Sequence, residues 1–135
     1  MKLSLIDIFS IKAACENLLR YNKINKNGEI TTVPFDFTGK TRWDNGKNLG
    51  ICQKAFDKWQ KDIILPLKEE LKIDSNTKPD DPILRELNSR ALKHAEEIIE
   101  DYSLVQLPKL ELIDDKNPVS SDVLMILDKY ELLEP

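Results

Sequence analysis

Apolar residues at helical spacing begin almost at the start of the chain. Ser4 and Asp7 form the S-x-x-D pattern of a capping box, which marks the first turn of many helices. Apolar residues then recur every three or four positions as far as Leu19. The pattern predicts a helix from about Leu5 to Tyr21.

The segment from Glu29 to Phe37 breaks this helical pattern. It follows the turn signal Asn27-Gly28 and is rich in β-branched and aromatic residues, which favour extended structure. Pro34 argues against a central strand, because proline has no backbone N–H to donate. The segment is therefore expected to be either a short ribbon or an ordered loop.

The longest apolar stripe of the chain begins near Thr41. It repeats about every 3.5 residues, as in helices that pack along their length. Its members are Leu49, Cys52, Phe56, Trp59, Ile63, Leu67 and Leu71. Pro66 lies inside the stripe and predicts a kink or a break. Gly46 and Gly50 either allow another backbone to approach or simply weaken the first turns.

A polar linker, residues 73–81, separates this stripe from a third helical pattern. Asp81 followed by Pro82 is a typical helix start, since proline fits the first helical position. The apolar positions that follow are spaced as one buried helix face from Leu84 to Tyr102.

The last third of the chain changes its period. Alternating apolar residues from Val105 to Leu112 predict one or two short edge strands. Residues 114–118 are typical of a turn, and Ser120 or Ser121 is expected to cap a last helix. The apolar face of that helix comprises Val123, Leu124, Leu127, Tyr130 and Leu133.

These patterns predict a mainly α fold in a single domain spanning residues 1–135. We expect about four helices, a long antiparallel pair formed by the second and third, and minor extended segments. The alternative is an α+β fold with a small antiparallel sheet. A chain of 135 residues can bury one hydrophobic core without disulfides or metals.

The composition indicates a cytoplasmic protein. No apolar run approaches the roughly 18 residues of a membrane-spanning helix, and charged residues interrupt the apolar start of the chain. Cys15 and Cys52 fall on apolar stripes, so we expect buried thiols rather than a disulfide or metal site. The one histidine, His94, lies on a charged helix and is expected at the surface.

The charge is divided unequally along the chain. Residues 1–79 contain 14 Lys and Arg against 10 Asp and Glu, whereas residues 80–135 contain 6 against 14. A net charge of −4 and a pI near 5.1 argue against general nucleic-acid binding. The acidic half is expected either to meet a basic partner or to complement the basic half of the same chain.

Basic residues concentrate near the start of the second helix, at Lys40, Arg42 and Lys47. Free backbone N–H groups at a helix start attract anions, so these residues are a candidate site for a phosphate group. The simpler interpretation is a solvated lysine face.

Aromatic residues accompany this basic segment. Trp43 does not belong to the apolar stripe, and with Phe35 and Phe37 it could line a partner-binding surface. Aromatic residues next to an arginine such as Arg42 are common interface anchors. A place in the core is the alternative for Trp43.

No catalytic motif stands out. The sequence contains no phosphate-cradling glycine loop, zincin helix, nucleophile elbow or CxxC pair. We therefore expect no catalytic residues, no cofactor and no metal, and a protein that works by binding.

The order of segments resembles a group of short accessory proteins of phages and prophages of low-GC bacteria. The resemblance rests on the start Met1–Leu5, the Lys40-Thr41-Arg42…Gly46-Lys47-Asn48-Leu49 stretch, and the tail Lys109–Ile113 followed by Val119–Leu124. It implies a phage or prophage context in a host cytoplasm more than an activity.

Four functions are therefore open, and the last of them is an enzyme with an unrecognised site. The first is a non-enzymatic accessory factor that binds a host or phage macromolecule, such as a defence protein that it inhibits. The second is sequestration of an anionic nucleotide. The third is a virion-assembly or structural role as a homo-oligomer.

Overall fold

Helices dominate the computed structural model, which describes residues 1–135. They are α1 (Leu5–Glu16), α2 (Gly39–Trp59), α3 (Leu65–Glu70), α4 (Ile83–Glu97), α5 (Lys109–Leu112) and α6 (Ser121–Lys129). The strands are β1 (Lys2–Ser4), β2 (Arg20–Ile24), β3 (Ile30–Pro34) and β4 (Ile99–Asp101), and they form two antiparallel pairs, β1–β4 and β2–β3. The mainly α class with a minor sheet is confirmed. None of the helices is both long enough and apolar enough to cross a membrane.

Helix α1 packs against α2, α4 and α6, and its start is fixed locally. The Ser4 hydroxyl accepts a hydrogen bond from the Asp7 N–H at 3.2 Å, and the Asp7 carboxylate accepts one from the Ser4 N–H at 3.0 Å. The predicted capping box is confirmed. Asp7 also accepts a hydrogen bond from the Tyr130 hydroxyl at 2.7 Å, which ties α1 to the end of α6.

The end of α1 was predicted wrongly. The helix stops at Glu16 rather than continuing to Tyr21, and Arg20 begins strand β2. Tyr21 instead pairs with Val33 across the β2–β3 hairpin. The β-branched residues of β3 offer these positions a partner strand, which a helical period cannot reveal.

Residues 29–37 therefore belong to a hairpin and its connection to α2. The hairpin turns at Asn25, whose side-chain oxygen accepts hydrogen bonds from the N–H groups of Asn27 and Glu29, each at 2.9 Å. Gly28 has a φ of +78°, a conformation that favours glycine.

The predicted long helix is present, but in place of a break at Pro66 it carries a π-helical turn just before that residue. Helix α2 continues into a π-helical turn, Gln60–Ile64, which leads into α3. In this wider turn the Leu65 N–H bonds to the Gln60 carbonyl. Pro66 has no N–H to donate and lies in the first turn of α3, directly after this π-helical turn.

Helix α4 returns against the π-helical turn, α3 and α1. The Asp81 carboxylate accepts a hydrogen bond from the Ile83 N–H at 3.0 Å, as expected of a capping residue. The helix ends at Glu97 and not at Tyr102, which corrects the predicted boundary. Residues 99–101 pair with β1 because that short strand exposes backbone groups that need partners.

The C-terminal third differs in part from its predicted strands. Leu107 forms an isolated parallel bridge with Leu133, but Lys109–Leu112 is one helical turn, which leaves Leu110 81% exposed. Ser120 caps α6 as predicted, since its hydroxyl accepts the Val123 N–H at 3.3 Å.

Two apolar clusters form the core. The larger joins α1, α2, α6 and the C-terminal segments around Ile8, Ile11 and Leu127. The smaller lies between α3 and α4 and contains Ile64, Leu67, Leu87 and Ala91. Cys15 and Cys52 are fully buried free thiols in the larger cluster, as predicted. Burial raises the pKa of Cys15 to about 12 and that of Cys52 to about 11.

Two buried asparagines hold irregular segments against these helices. The Asn48 amide donates to the Val105 carbonyl and accepts from the Val105 N–H, both at 2.8 Å. The Asn117 amide donates to the Asp36 carbonyl at 3.2 Å and accepts from the Asp36 N–H at 2.7 Å. Each amide supplies both hydrogen bonds that a neighbouring strand would have made.

We predict that Asn48→Ala lowers the free energy of unfolding by about 2–4 kcal/mol, because both backbone groups of Val105 lose their partner. Urea unfolding followed by circular dichroism measures the change. The control is Asn88→Ala on the exposed face of α4, for which we expect a change within about 0.5 kcal/mol. Equal effects of the two substitutions would contradict this role of Asn48.

Candidate functional site

The six residues singled out from the sequence separate into two neighbouring groups. Phe35, Phe37 and Arg42 line one cleft. The other three, Lys40, Trp43 and Lys47, share an exposed face of α2, since they are spaced by three and four residues. The six residues therefore form two separate surfaces and not a single site.

The first group belongs to a cleft at the base of the β2–β3 hairpin. It has a volume of about 300 Å³ and is bounded by the turn that follows α1, the hairpin with its connection to α2, and the first turns of α2. We name it the arginine cleft after two of its lining residues, which are Leu18, Leu19, Arg20, Pro34, Phe35, Phe37, Arg42 and Asn45.

Phe35 and Phe37 form the floor of this cleft. Their side chains are only 3% and 7% exposed, and their rings stack with centroids 5.1 Å apart and planes 12° apart. Because Asn117 holds the backbone of Asp36 between them, both rings turn into the core. Neither ring is therefore presented on an exposed surface, and a role for them in binding stays a prediction that involves the cleft alone.

Two arginines line the cleft, Arg20 and Arg42. Arg42 donates a hydrogen bond from Nη2 to the Phe35 carbonyl at 3.1 Å, which orients its guanidinium. Neither Arg42 nor Arg20 has a carboxylate within ion-pair distance, whereas Arg90 pairs with two. Arg20 was not predicted as a site residue, because the apolar spacing places it in a helix. Its pairing with Pro34 across the hairpin brings it to the cleft.

Asn45 was also missed. It is 3% exposed, and its Nδ2 donates to the Cys15 carbonyl at 3.1 Å. Its Oδ1 is buried and has no hydrogen-bond partner. Buried polar atoms without partners are rare in folded proteins. Nothing in the sequence separates Asn45 from the other asparagines, because its burial depends on how α2 packs on α1.

The second group lies on the opposite, solvent-facing side of α2. Trp43 is 72% exposed, which supports the interface alternative for this residue over the core. A Cβ added at any of the nearby glycines would meet nothing within 4 Å, so no close approach within the chain requires them. We name this surface the Trp43 face, and it comprises Gly39, Lys40, Trp43, Gly46, Lys47 and Gly50.

The lysines of the Trp43 face have different surroundings. Lys40 forms an ion pair with Asp44 at 2.8 Å, and the hydrogen bond from this pair raises the pKa of Lys40. Lys47 is exposed and has no ion-pair partner. An isolated surface ion pair such as Lys40–Asp44 contributes little to the stability of the fold.

The start of α2 does not offer the predicted phosphate site. The Glu111 carboxylate occupies that position and accepts hydrogen bonds from the Thr38 N–H at 2.7 Å, the Thr38 hydroxyl at 3.2 Å and the Thr41 hydroxyl. An anion from the chain itself therefore takes the place predicted for a ligand. Burial alone would raise the pKa of Glu111, but these hydrogen bonds outweigh it and hold the pKa below 4.5.

The titratable residues show no arrangement typical of a metal site. No group of three or more His, Cys, Asp or Glu side chains is placed to hold a metal ion. His94 lies on the exposed side of α4, as expected. The candidate functional sites are therefore the arginine cleft and the Trp43 face.

We predict that Glu111→Gln lowers the free energy of unfolding by about 1 kcal/mol at neutral pH, because the charged acceptor at the start of α2 is lost. The folded-state pKa of Glu111 lies below its ordinary value of 4.5, so its contribution is present above that pH. It disappears as the pH falls through the lowered pKa.

Denaturant unfolding of the wild type and of Glu111→Gln between pH 3 and pH 7 measures the difference in their free energies of unfolding. This difference should become smaller at the acidic end. Glu96→Gln on the exposed face of α4 is the control and should match the wild type throughout. A difference that stays constant with pH would rule out the charge of Glu111 as its cause.

Comparison with known proteins identifies no relative. No family model matches the chain. No curated protein and no solved structure matches it either.

Proposed function

We propose that this protein is a non-enzymatic binding factor whose Trp43 face docks onto another protein. The observation that carries the proposal is the exposure of Trp43, a large side chain that is 72% exposed near the middle of this face. Tryptophan is enriched among the residues that dominate binding energy at interfaces. An indole in solvent also leaves a large apolar area available for burial.

The glycines around Trp43 support the same proposal. Gly46 and Gly50 lie inside a helix, where glycine costs about 1 kcal/mol relative to alanine. Space for a Cβ is free at both positions, so the packing of the chain gives no reason for them. A partner whose backbone lies directly against α2 would provide one, because bare glycines let another chain approach closely.

The charges of the face favour an acidic partner. Lys40, Lys47 and Lys54 are exposed along one side of Trp43 at helical spacing. The net charge of −4 argues against nucleic acid, since a nucleic-acid-binding domain is typically basic. A protein surface with carboxylates around an apolar pocket would complement this arrangement.

The resemblance to phage accessory proteins indicates where to seek that partner. It supports a host or phage protein in the host cytoplasm, such as a defence component that the binding would inhibit. A homo-oligomer is the competing proposal, because the acidic residues 80–135 of a second copy could also meet the lysines.

We predict that Trp43→Ala abolishes capture of the partner while leaving stability within about 0.5 kcal/mol of the wild type. The tagged protein is expressed in its host, crosslinked, purified and compared by quantitative mass spectrometry. Leu110→Ala, which removes another highly exposed apolar side chain, is the matched control and should retain the partner. With the purified partner, Trp43→Ala should weaken binding at least about 30-fold.

A partner retained equally by both variants would contradict the docking role of Trp43. Analytical ultracentrifugation separates the homo-oligomer. If the protein dimerises and Trp43→Ala returns it to a monomer, the partner is a second copy of the chain.

The glycines allow a second, sharper prediction. The double substitution Gly46→Ala and Gly50→Ala should raise the free energy of unfolding by about 1–2 kcal/mol, because alanine favours the helix. The same change should weaken partner binding, because two methyl groups now stand between the backbones. A variant that is more stable and binds equally well would show that the partner does not approach α2 closely.

A further inference from the structure

We propose that the arginine cleft binds an N-acylated apolar amino acid through its free carboxylate, a chemistry shared by the C-terminal residue of a peptide chain. This site is separate from the Trp43 face and does not depend on the proposed docking function. Three features of the cleft each select one part of such a ligand.

The first feature is positive charge without a partner. Arg20 and Arg42 both line the cleft, and neither forms an ion pair, although acidic residues outnumber basic ones by 24 to 20. Arg42 is oriented by the Phe35 carbonyl and uses only one of its donors for it. Guanidinium groups bind carboxylates with two parallel hydrogen bonds, so the cleft favours an anionic group of this shape.

The second feature is a buried acceptor. The Asn45 amide has a fixed orientation, because exchanging its nitrogen and oxygen would place Oδ1 against the Cys15 carbonyl. Its Oδ1 has no donor and almost no solvent-accessible surface, although Asn45 itself lines the cleft. A ligand N–H therefore reaches this oxygen only when the side chains that cover it move aside. This acceptor selects a ligand that brings an N–H group.

The third feature is the apolar wall formed by Leu18, Leu19, Pro34 and Phe37. It suits an aliphatic side chain. A nucleobase is a poorer fit, because Phe35 and Phe37 stack on each other and are almost fully buried, which leaves no open ring face for a base. The volume of about 300 Å³ lies at the small end of ligand sites and also favours a ligand of residue size.

An N-acyl amino acid carries these three groups on a single carbon. Its carboxylate would meet Arg20 and Arg42, its amide N–H would donate to Asn45 Oδ1, and its side chain would contact the apolar wall. The predicted nucleotide site shares only Arg42 with this arrangement, since Lys40 and Lys47 lie on the Trp43 face.

The test is a titration of the wild-type protein with N-acetyl-L-leucine, followed by NMR at the backbone amides of the cleft and the side-chain amide of Asn45. We expect saturable shifts at both. N-acetyl-L-leucinamide, which lacks the carboxylate, should bind at least about tenfold more weakly. Arg20→Gln should weaken binding of the acid by a similar factor, and Arg85→Gln, an exposed arginine of α4, should not.

A peptide with a free C-terminal leucine distinguishes the sources of this chemistry. Tighter binding of the peptide than of N-acetyl-L-leucine would assign the site to a chain terminus, and equal binding would assign it to a small molecule. Equal affinity for the acid and the amide, or preferential binding of adenosine monophosphate, would overturn the proposal. Trp43→Ala should leave the titration unchanged, so failure here is distinguishable from failure of the docking proposal.

Discussion

Backbone groups outside helices and sheets need hydrogen-bond partners, and in this chain buried asparagine side chains supply them. Asn48 holds the extended segment at Val105, and Asn117 holds the connection between β3 and α2 at Asp36. The second contact fixes the backbone between Phe35 and Phe37, whose rings form the floor of the arginine cleft. The position of the cleft thus depends on an amide 81 residues away from the backbone that it holds.

Helix α2 connects the two candidate surfaces because its opposite sides serve different purposes. The buried side carries Asn45, Asn48 and Cys52 and is fixed by the core. The exposed side carries Trp43 and the glycines, which contribute nothing to that core.

Signals that lie within one turn of the chain were predictable from the sequence. The Ser4–Asp7 capping box, the Ser120 cap and the irregular turn just before Pro66 involve neighbours only a few residues apart. The ends of α1 and α4 were not predictable in the same way. Their apolar spacing continues, but strands from distant parts of the chain compete for the same residues.

The candidate site also combines features that local sequence signals predict with features that depend on distant contacts. Exposure of Trp43 was one of two alternatives that the apolar stripe left open, whereas Arg20 reaches the cleft only through the hairpin register. Glu111 occupies the start of α2 from 73 residues away, which no local pattern can show. Where a side chain's role depends on a contact made across the fold, the sequence indicated its chemistry but not its place.

The π-helical turn between α2 and α3 has a consequence for chain length. A π turn accommodates about one more residue than an α turn, so α3 is rotated by roughly 100° from where an unbroken helix would have placed it. That rotation points Leu67 toward Leu87 in the smaller core cluster. A deletion of one residue within Gln60–Ile64 would straighten the helix yet turn Leu67 away. Homologous chains should therefore conserve the residue count up to α3, while the exposed residues 78–80 of the linker are free to vary in length.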